Sequence, residues 1–191
     1  MMTEGLEQIK TQFTGFEHSL LVLVGESGAG KSTLCRFMDC PDLWYSSSGT
    51  IVRQLENANI PVSHDSIHQF ANQAYTENPE WQVPSILGAM EQKRVLVLDG
   101  PRRLLEVQAL RRECPSMAIL RIQADQEERY KRLQLRDNID RVAFERVLSD
   151  ESRETQLGQL LLMANGVISN NGTLEDIQGR AQEIRNLIFN L

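Results

Sequence analysis

The sequence is poor in the residues that form disulfide frameworks or structural metal sites. It has three cysteines and three histidines in 191 residues, and no two cysteines form a C-x-x-C pair. Cys35, Cys40 and Cys114 are scattered along the chain, which predicts free thiols in a reducing, cytoplasmic environment. His64 and His68 are four residues apart, but no cysteine completes a metal-binding set. We predict that these two histidines lie on the surface or line a substrate pocket.

Long hydrophobic runs and an excess of positive charge are also missing. The apolar run Leu20–Val24 has five residues, whereas a membrane-spanning helix needs about 20. Acidic residues outnumber basic ones by 26 to 20, so the formal net charge is -6. Because nucleic acids are bound mainly through their phosphates by basic surfaces, this charge argues against a nucleic-acid partner. The sequence predicts no membrane partner either, and it leaves the oligomeric state open.

The stretch GESGAGKST at residues 25–33 matches the phosphate-binding pattern G-x-x-x-x-G-K-[ST]. It follows an apolar strand and opens a helix, which is the context that this pattern requires. We predict that ATP phosphates are held by Gly25, Glu26, Ser27, Gly28, Ala29, Gly30, Lys31, Ser32 and Thr33. The Lys31 ammonium is expected to reach the β- and γ-phosphates, and the Ser32 hydroxyl is expected to bind Mg²⁺.

Apolar segments of strand type alternate with helical patterns along the chain. The strand segments are 20–25, 43–47, 94–100, 118–124 and 166–171. Near-continuous apolar strands separated by helices predict an α/β fold with a parallel sheet covered on both faces. Thr173 and Asp176 are spaced as a capping pair at the start of the last helix. Asp125 and Glu128 have the same spacing and predict a similar helix start.

Two regions interrupt this alternation. Residues 50–92 are mostly helical and polar in pattern, and we interpret them as a helical subdomain inserted at the carboxyl edge of the sheet, where ligands bind in open α/β folds. Residues 129–153 carry many arginines with interleaved acids, and we predict an irregular structure for them. A single domain over 1–191 is expected, with a core formed by 18–49 and 93–190.

Other polar residues follow the strands at the same predicted edge. Asp99 ends an apolar strand, where a carboxylate could hold Mg²⁺ beside the phosphates or could cap the next segment. Arg102 lies three residues later and is a candidate clamp for a substrate phosphate. Residues 46–53 form a Ser/Gly turn that opens a helix; its N–H groups could bind a second anion or could belong to an ordinary cap.

These segments together resemble the nucleoside monophosphate kinase group of P-loop proteins, to which adenylate kinase belongs. The matching segments are SSGTIVR at 47–53, DGPR at 99–102 and the arginine-rich stretch 129–153. The chain is also similar to small adenylate-kinase-like and dephospho-CoA-kinase-like nucleotide kinases of archaea and bacteria. The resemblance covers roughly residues 18 to 190.

The resemblance implies a three-layer P-loop NTPase fold with five parallel strands in the order 2-3-1-4-5. It implies ATP and Mg²⁺ as cofactors, an acceptor-binding role for 50–92 and a short closing lid at 129–153. By position it assigns the acceptor nucleotide to Ser48, Gly49 and Arg53, and the acceptor phosphate to Arg102. Arg132 and Arg136 would contact the transferred phosphoryl group from the lid.

The chemistry of the acceptor can be argued from missing carboxylates. A hydroxyl acceptor needs a base to take its proton, whereas an anionic phosphate acceptor needs only positioning and charge neutralisation. The segment after the second strand has serines at 46–48 instead of a carboxylate, so we favour a nucleoside monophosphate. Thr50 stands where the resembled group often has Asp, which leaves the identity of the acceptor open. A hydroxyl acceptor of the dephospho-CoA type would need one of Asp39, Asp42, Asp65 or Glu26. A non-kinase ATPase or regulator and a nucleic-acid-end kinase remain alternatives.

Overall fold

The computed structural model describes residues 9–13, 16–101, 103–154 and 156–189. Five parallel strands form one sheet in the order β2-β3-β1-β4-β5, which confirms the predicted order. The strands are β1 (Ser19–Val24), β2 (Trp44–Ser46), β3 (Val95–Asp99), β4 (Met117–Gln123) and β5 (Gly166–Ser169). Each strand lies within or next to one of the apolar segments of the sequence.

Helices connect the strands and cover both faces of the sheet. They are α1 (Lys31–Phe37), α2 (Ser47–Asn57), α3 (His64–Glu77), α4 (Val83–Met90), α5 (Leu104–Glu113), α6 (Gln126–Asp137), α7 (Arg141–Glu154), α8 (Leu157–Leu162) and α9 (Leu174–Phe189). A 3-10 turn spans Pro41–Leu43, and residues 9–13 are also helical. None of the described helices is both long and apolar enough to cross a bilayer.

The core consists of two apolar layers, one on each face of the sheet. Alternate residues of β1 point to opposite faces, so Leu21 and Leu23 join one layer while Leu20 and Val22 join the other. The first layer includes side chains of α1, α9 and residues 9–13, and the second includes side chains of α4, α5 and α8. All six residues of β1 are buried, which explains why the five that follow Ser19 form an uninterrupted apolar run.

The segment between β2 and β3 packs around a small apolar cluster of its own. Ile51 and Leu55 of α2 lie against Ala71 and Tyr75 of α3. The Trp81 ring makes an edge contact with the Tyr75 ring at a centroid distance of 5.8 Å, so both aromatics contribute to packing. This cluster is distinct from the two layers that cover the sheet.

Two local predictions differ from the structure. The stretch 129–153 is not irregular; it comprises most of α6, a turn and most of α7. Asp125 is the N-cap residue of α6, which confirms the predicted helix start, but its side chain caps no backbone group. The Asp125 N–H donates to Asn171 Oδ1 at 2.7 Å, and Glu128 pairs with Lys131 at 2.7 Å. The capping pair at the last helix is confirmed, since the Thr173 N–H donates to Asp176 Oδ2 at 2.8 Å.

Candidate functional site

A tight loop joins the carboxyl end of β1 to the first turn of α1. We call residues 25–33 the phosphate loop. Gly28 and Gly30 have φ values of 78° and 104°, a region that side chains other than glycine rarely adopt. At Gly28 the loop also lies directly on α6, because an added Cβ would be 2.9 Å from the carbonyl oxygen of Arg129. Glycine is therefore required there by both backbone conformation and space.

Five consecutive carbonyl groups of the phosphate loop accept hydrogen bonds from side chains around it. Lys31 Nζ donates to the carbonyls of Gly25 at 2.7 Å and Glu26 at 3.2 Å. The carbonyls of Ser27, Gly28 and Ala29 accept from Arg129, Arg132 and Asn170, at 2.8, 3.4 and 2.8 Å. Within the loop, the Ser27 N–H donates to Glu151 Oε1 and the Ala29 N–H donates to the Glu26 carbonyl at 3.1 Å. The N–H groups of the first turn of α1 have no carbonyl partner within the helix, and such groups suit an anion.

A hydroxyl and a carboxylate meet beside the phosphate loop. Parallel pairing places Asp99 at the end of β3 opposite Leu23 of β1, directly below the loop. The Ser32 hydroxyl donates to Asp99 Oδ2 at 2.8 Å, and Asp99 is only 5% exposed. Oxygen ligands of this kind suit Mg²⁺, which takes one or two protein oxygens and completes its shell with phosphate and water. The donor set thus fits the predicted metal role of both residues.

A cavity of about 560 Å³ lies between the phosphate loop, α6 and α9, and we call it the outer cavity. Its described lining comprises Gly28, Gly30, Lys31, Ser32, Thr33, Glu128, Arg132, Leu133, Leu135, Arg136, Asn170, Gly172, Thr173, Leu174 and Ile177. Leu135 of α6 and Leu174 of α9 contribute apolar surface, although they are 88% and 64% exposed. A cavity with phosphate-binding N–H groups at one end and apolar side chains at the other has the polarity of a nucleotide.

A second cavity of about 320 Å³ lies between the same loop, α2, α3 and α7, and we call it the inner cavity. Its described lining comprises Gly25, Ser27, Lys31, Ser32, Ser48, Val52, Ile67, His68, Asp99, Gly100, Pro101, Arg136, Glu151 and Leu157. Lys31, Ser32 and Arg136 line both cavities. The two spaces therefore meet at two cations and a hydroxyl, where a group could pass from one ligand to another.

The predicted acceptor residues are brought together only in part. Ser48 lines the inner cavity, but Gly49 and Arg53 are not in its described lining. The Arg53 guanidinium is exposed and donates to Thr50 Oγ1 at 2.9 Å. Arg102 lies outside the described residues, so its predicted position beside the acceptor phosphate stays a prediction.

The two predicted lid arginines occupy different places. Arg132 donates to the carbonyl of Asn170 at 2.8 Å and lines the outer cavity but not the inner one. Arg136 lines both cavities and forms an exposed ion pair with Asp137 at 2.6 Å. The hydrogen bond to Asp137 raises the pKa of Arg136, so this guanidinium stays protonated. Of the two, Arg136 is thus the one at the junction of the cavities.

Several site residues were not found by the sequence patterns. Asn170 follows the last residue of β5, and polar residues after parallel strands belong to the ligand-binding edge, so its position was a usable signal. Glu151 had no such signal, because it is one of many charged residues in α7. It is buried, lines the inner cavity and accepts a hydrogen bond from the Ser27 N–H. His68 was predicted to lie on the surface or to line a substrate pocket, and it lines the inner cavity.

Two further residues of the loop region face away from the cavities. The Glu26 carboxylate lies 3.8 Å from the Arg121 guanidinium of β4, and Glu26 is absent from both described linings. Cys35 is buried in α1, and burial raises the pKa of its thiol well above the usual range. The three cysteines are free, as predicted.

Comparison with known proteins finds relatives of moderate similarity, and no family model matches the chain. A UPF0200 protein from Pyrococcus horikoshii is 25% identical over 176 residues, covering 86% of this chain and 95% of the relative. A UPF0200 protein from Methanoregula boonei is 25% identical over 173 residues, covering 87% and 95%. The similarity therefore spans nearly the whole length of these relatives.

Two solved structures share the fold. Protein TT1252 from Thermus thermophilus has a TM-score of 0.55 at 18% identity, covering 88% of this chain and 97% of that one. Shikimate kinase from Acinetobacter baumannii, solved with shikimate, has a TM-score of 0.55 at 17% identity, covering 95% and 97%. Together with the strand order, they show the predicted three-layer P-loop NTPase fold. The narrower resemblance to nucleoside monophosphate kinases stays a prediction.

Proposed function

We propose that the protein is an ATP-dependent kinase that transfers the γ-phosphoryl group of ATP to a small molecule, and that this acceptor is a nucleoside monophosphate. The observation that carries this proposal is the pair of cavities that meet at Lys31, Ser32 and Arg136. An ATPase or nucleotide sensor needs only the outer cavity. A second cavity that shares the cations of the phosphate loop is what a phosphoryl acceptor requires.

The outer cavity is the proposed ATP site. The N–H groups of the phosphate loop bind the phosphates, and the apolar side chains of Leu135 and Leu174 contact the base. Arg132 supports this site through its hydrogen bonds to the carbonyls of Gly28 and Asn170. We therefore assign Arg132 to the nucleotide side of the site, and we keep Arg136 as the residue that contacts the transferred group.

Ser32 and Asp99 are the proposed ligands of Mg²⁺, directly or through water. When bound, the ion neutralises charge on the β- and γ-phosphates. In the transfer itself, an acceptor oxygen forms a bond to the γ-phosphorus while the bond from that phosphorus to the β–γ bridging oxygen breaks, which leaves ADP. Lys31 and Arg136 stabilise the negative charge of the group in transit, and Arg102 holds the acceptor phosphate.

The inner cavity supports an anionic acceptor over a hydroxyl. Among the described residues, its carboxylates are Asp99 and Glu151, and both are engaged, Asp99 by Ser32 and Glu151 by Arg129. Asp39, Asp42, Asp65 and Glu26, which a hydroxyl acceptor would need as a base, are not in its described lining. A phosphate acceptor needs no base, so this lining suits a nucleoside monophosphate.

The surrounding elements take their roles from this geometry. We propose that residues 50–92 form the acceptor-binding subdomain, with Ser48 in contact with the acceptor and with Gly49 and Arg53 brought to it on closure. We also propose that 129–153 acts as a short lid that is anchored near both ends, because Arg129 and Glu151 form a buried ion pair against the phosphate loop. Closure would exclude water, which competes with the acceptor for the γ-phosphoryl group.

Replacing His68 by glutamine separates the two acceptor classes. His68 is the histidine in the described lining of the inner cavity, so it is the side chain to test as a base for a hydroxyl acceptor. With a monophosphate acceptor, we expect a raised KM for the acceptor and a change in kcat of less than about threefold, because no proton has to be removed. With a hydroxyl acceptor, kcat would fall about 10² to 10⁴-fold and its pH profile would lose one limb. Steady-state kinetics of both proteins measures this.

A panel of acceptors tests the proposal and names the substrate. ADP formation from Mg·ATP is measured with ribo- and deoxynucleoside monophosphates, dephospho-CoA, shikimate and buffer alone. We expect turnover that depends on one or a few of the monophosphates. Turnover with dephospho-CoA or shikimate would show instead that the protein is a kinase that acts on a hydroxyl group. A slow rate that no acceptor changes would favour the ATPase or regulator alternative.

A further inference from the structure

The backbone of Ser27 is held on both sides by a buried ion pair between α6 and α7. Arg129 Nε donates to the Ser27 carbonyl at 2.8 Å, and the Ser27 N–H donates to Glu151 Oε1. Arg129 Nη2 donates to Glu151 Oε2 at 2.8 Å. These three hydrogen bonds form a closed ring around one residue of the phosphate loop. We call the Arg129–Glu151 pair the loop clamp.

The loop clamp lies in the interior of the protein. Arg129 is 6% exposed and Glu151 is 8% exposed, and the Arg129 guanidinium lies 5.8 Å from the centre of the Phe144 ring. A buried ion pair gives little net stability, because removing two charges from water costs about as much as their attraction returns. In some proteins such a pair instead selects one arrangement of the elements that it joins. Here those elements are α6, α7 and the phosphate loop.

Ser27 stands at the boundary of the two cavities. Ser27 is in the lining of the inner cavity, and the next residue, Gly28, is in the lining of the outer one. The φ of Gly28 is 78°, so the chain reverses direction directly after the clamped residue. Fixing the orientation of Ser27 therefore fixes how the following N–H groups are presented to the phosphates of a nucleotide.

We propose that Arg129 and Glu151 are positioning residues that hold the phosphate loop in its nucleotide-binding shape before the nucleotide arrives. The inference rests on the proposed function, because it requires that the loop binds nucleotide phosphates. It adds a determinant from α6 and α7 that lies 102 and 124 residues from Ser27 in the sequence. Without the clamp the loop samples other shapes, and apparent affinity falls with the fraction of molecules that keep the competent one.

A different role for Glu151 makes the opposite prediction. A carboxylate that accepts a hydrogen bond from a loop N–H could act as a competitor that fills the place of a phosphate oxygen. Removing its charge would then strengthen nucleotide binding. The clamp predicts that the same change weakens binding, so the sign of the effect decides between the two roles.

The test measures the Kd of Mg·ADP by calorimetry and the melting temperature without nucleotide for four proteins. They are the wild type, Glu151→Gln, the double variant Arg129→Met with Glu151→Leu, and the control Glu127→Gln. The double variant replaces the ion pair by apolar side chains of similar size, which restores packing without restoring the hydrogen bonds to Ser27. The control removes the exposed pair of Glu127 with Arg141, which also joins α6 to α7, at 2.6 Å.

We expect Glu151→Gln to raise the Kd about tenfold, as it would if about a tenth of the molecules kept the competent loop. The double variant should melt close to the wild type and still bind weakly, while Glu127→Gln should match the wild type in both measurements.

An unchanged or lower Kd for Glu151→Gln would overturn the clamp, as would a double variant that recovers affinity together with its melting temperature. If Glu151→Gln does not fold, the double variant decides. A wild type that does not bind Mg·ADP would overturn the nucleotide site itself and the clamp with it.

Discussion

Replacing Lys31 by alanine is expected to lower phosphoryl transfer by about 10³-fold or more while the protein stays folded. Lys31 lines both cavities, and its ammonium is the cation nearest to the carbonyls at the start of the phosphate loop. In the proposed reaction it stabilises charge on the γ-phosphoryl group during transfer, which no neighbouring uncharged group can replace. Turnover assays at saturating Mg·ATP and acceptor measure the loss.

The Lys31→Ala variant should remain folded because other groups hold the loop. Loss of its hydrogen bonds to Gly25 and Glu26 should cost about 2 kcal/mol of unfolding free energy, while the contacts from Arg129 and Asn170 remain. Lys93→Ala is the matched control, because Lys93 precedes β3 at the opposite edge of the sheet. Circular dichroism and thermal melting check the fold. A Lys31→Ala protein that is unfolded under native conditions would show that the lysine is structural.

Replacing Asp99 by asparagine is expected to lower kcat about 10² to 10³-fold and to raise the Mg²⁺ concentration needed for half-maximal activity. Asparagine has nearly the same volume, and its amide oxygen can still accept the hydrogen bond that Ser32 donates to Asp99 Oδ2. The change therefore removes the charge that would face the metal without removing the contact. A Mg²⁺ titration of activity at fixed ATP measures the shift.

Stability provides the internal control for Asp99→Asn. Asp99 is 5% exposed, and the free energy needed to bury a charged carboxylate is larger than that needed to bury a neutral amide. We expect the melting temperature without nucleotide to stay level or rise, while activity falls, which is the pattern of a residue kept for function. A variant that loses stability and keeps the wild-type Mg²⁺ dependence would remove Asp99 from the metal site.

The sheet could be predicted because its signals are local. An uninterrupted apolar run is what a strand buried on both faces requires, and all six residues of β1 are buried. The glycines of the phosphate loop mark their own turn, since Gly28 and Gly30 take φ values of 78° and 104°. Strand order came from the resemblance to P-loop kinases rather than from any local pattern, and the structure confirms it.

The stretch 129–153 shows what local patterns miss. Its interleaved charges concealed how far α6 extends and concealed α7 entirely, because two of the charged residues pair with each other in the interior. Arg129 is buried against Glu151, which follows 22 residues later. From the sequence, two such charged residues are predicted to be exposed to solvent, because their burial depends on contacts that form only in the folded chain. Asp125 and Glu128 do not form a capping pair, because the Asp125 N–H donates instead to Asn171, 46 residues away in the sequence.

The most direct test of the proposed function is the fate of the γ-phosphoryl group itself. Wild-type protein is incubated with Mg·ATP labelled at the γ-phosphorus, together with each nucleoside monophosphate, and the labelled products are separated. The two meeting cavities predict that the label is recovered in a nucleoside diphosphate made from the acceptor, in amounts that match the ADP formed. Label recovered only as inorganic phosphate, at the same rate with every acceptor, would contradict the account, because water would then be the acceptor and the inner cavity would have another purpose.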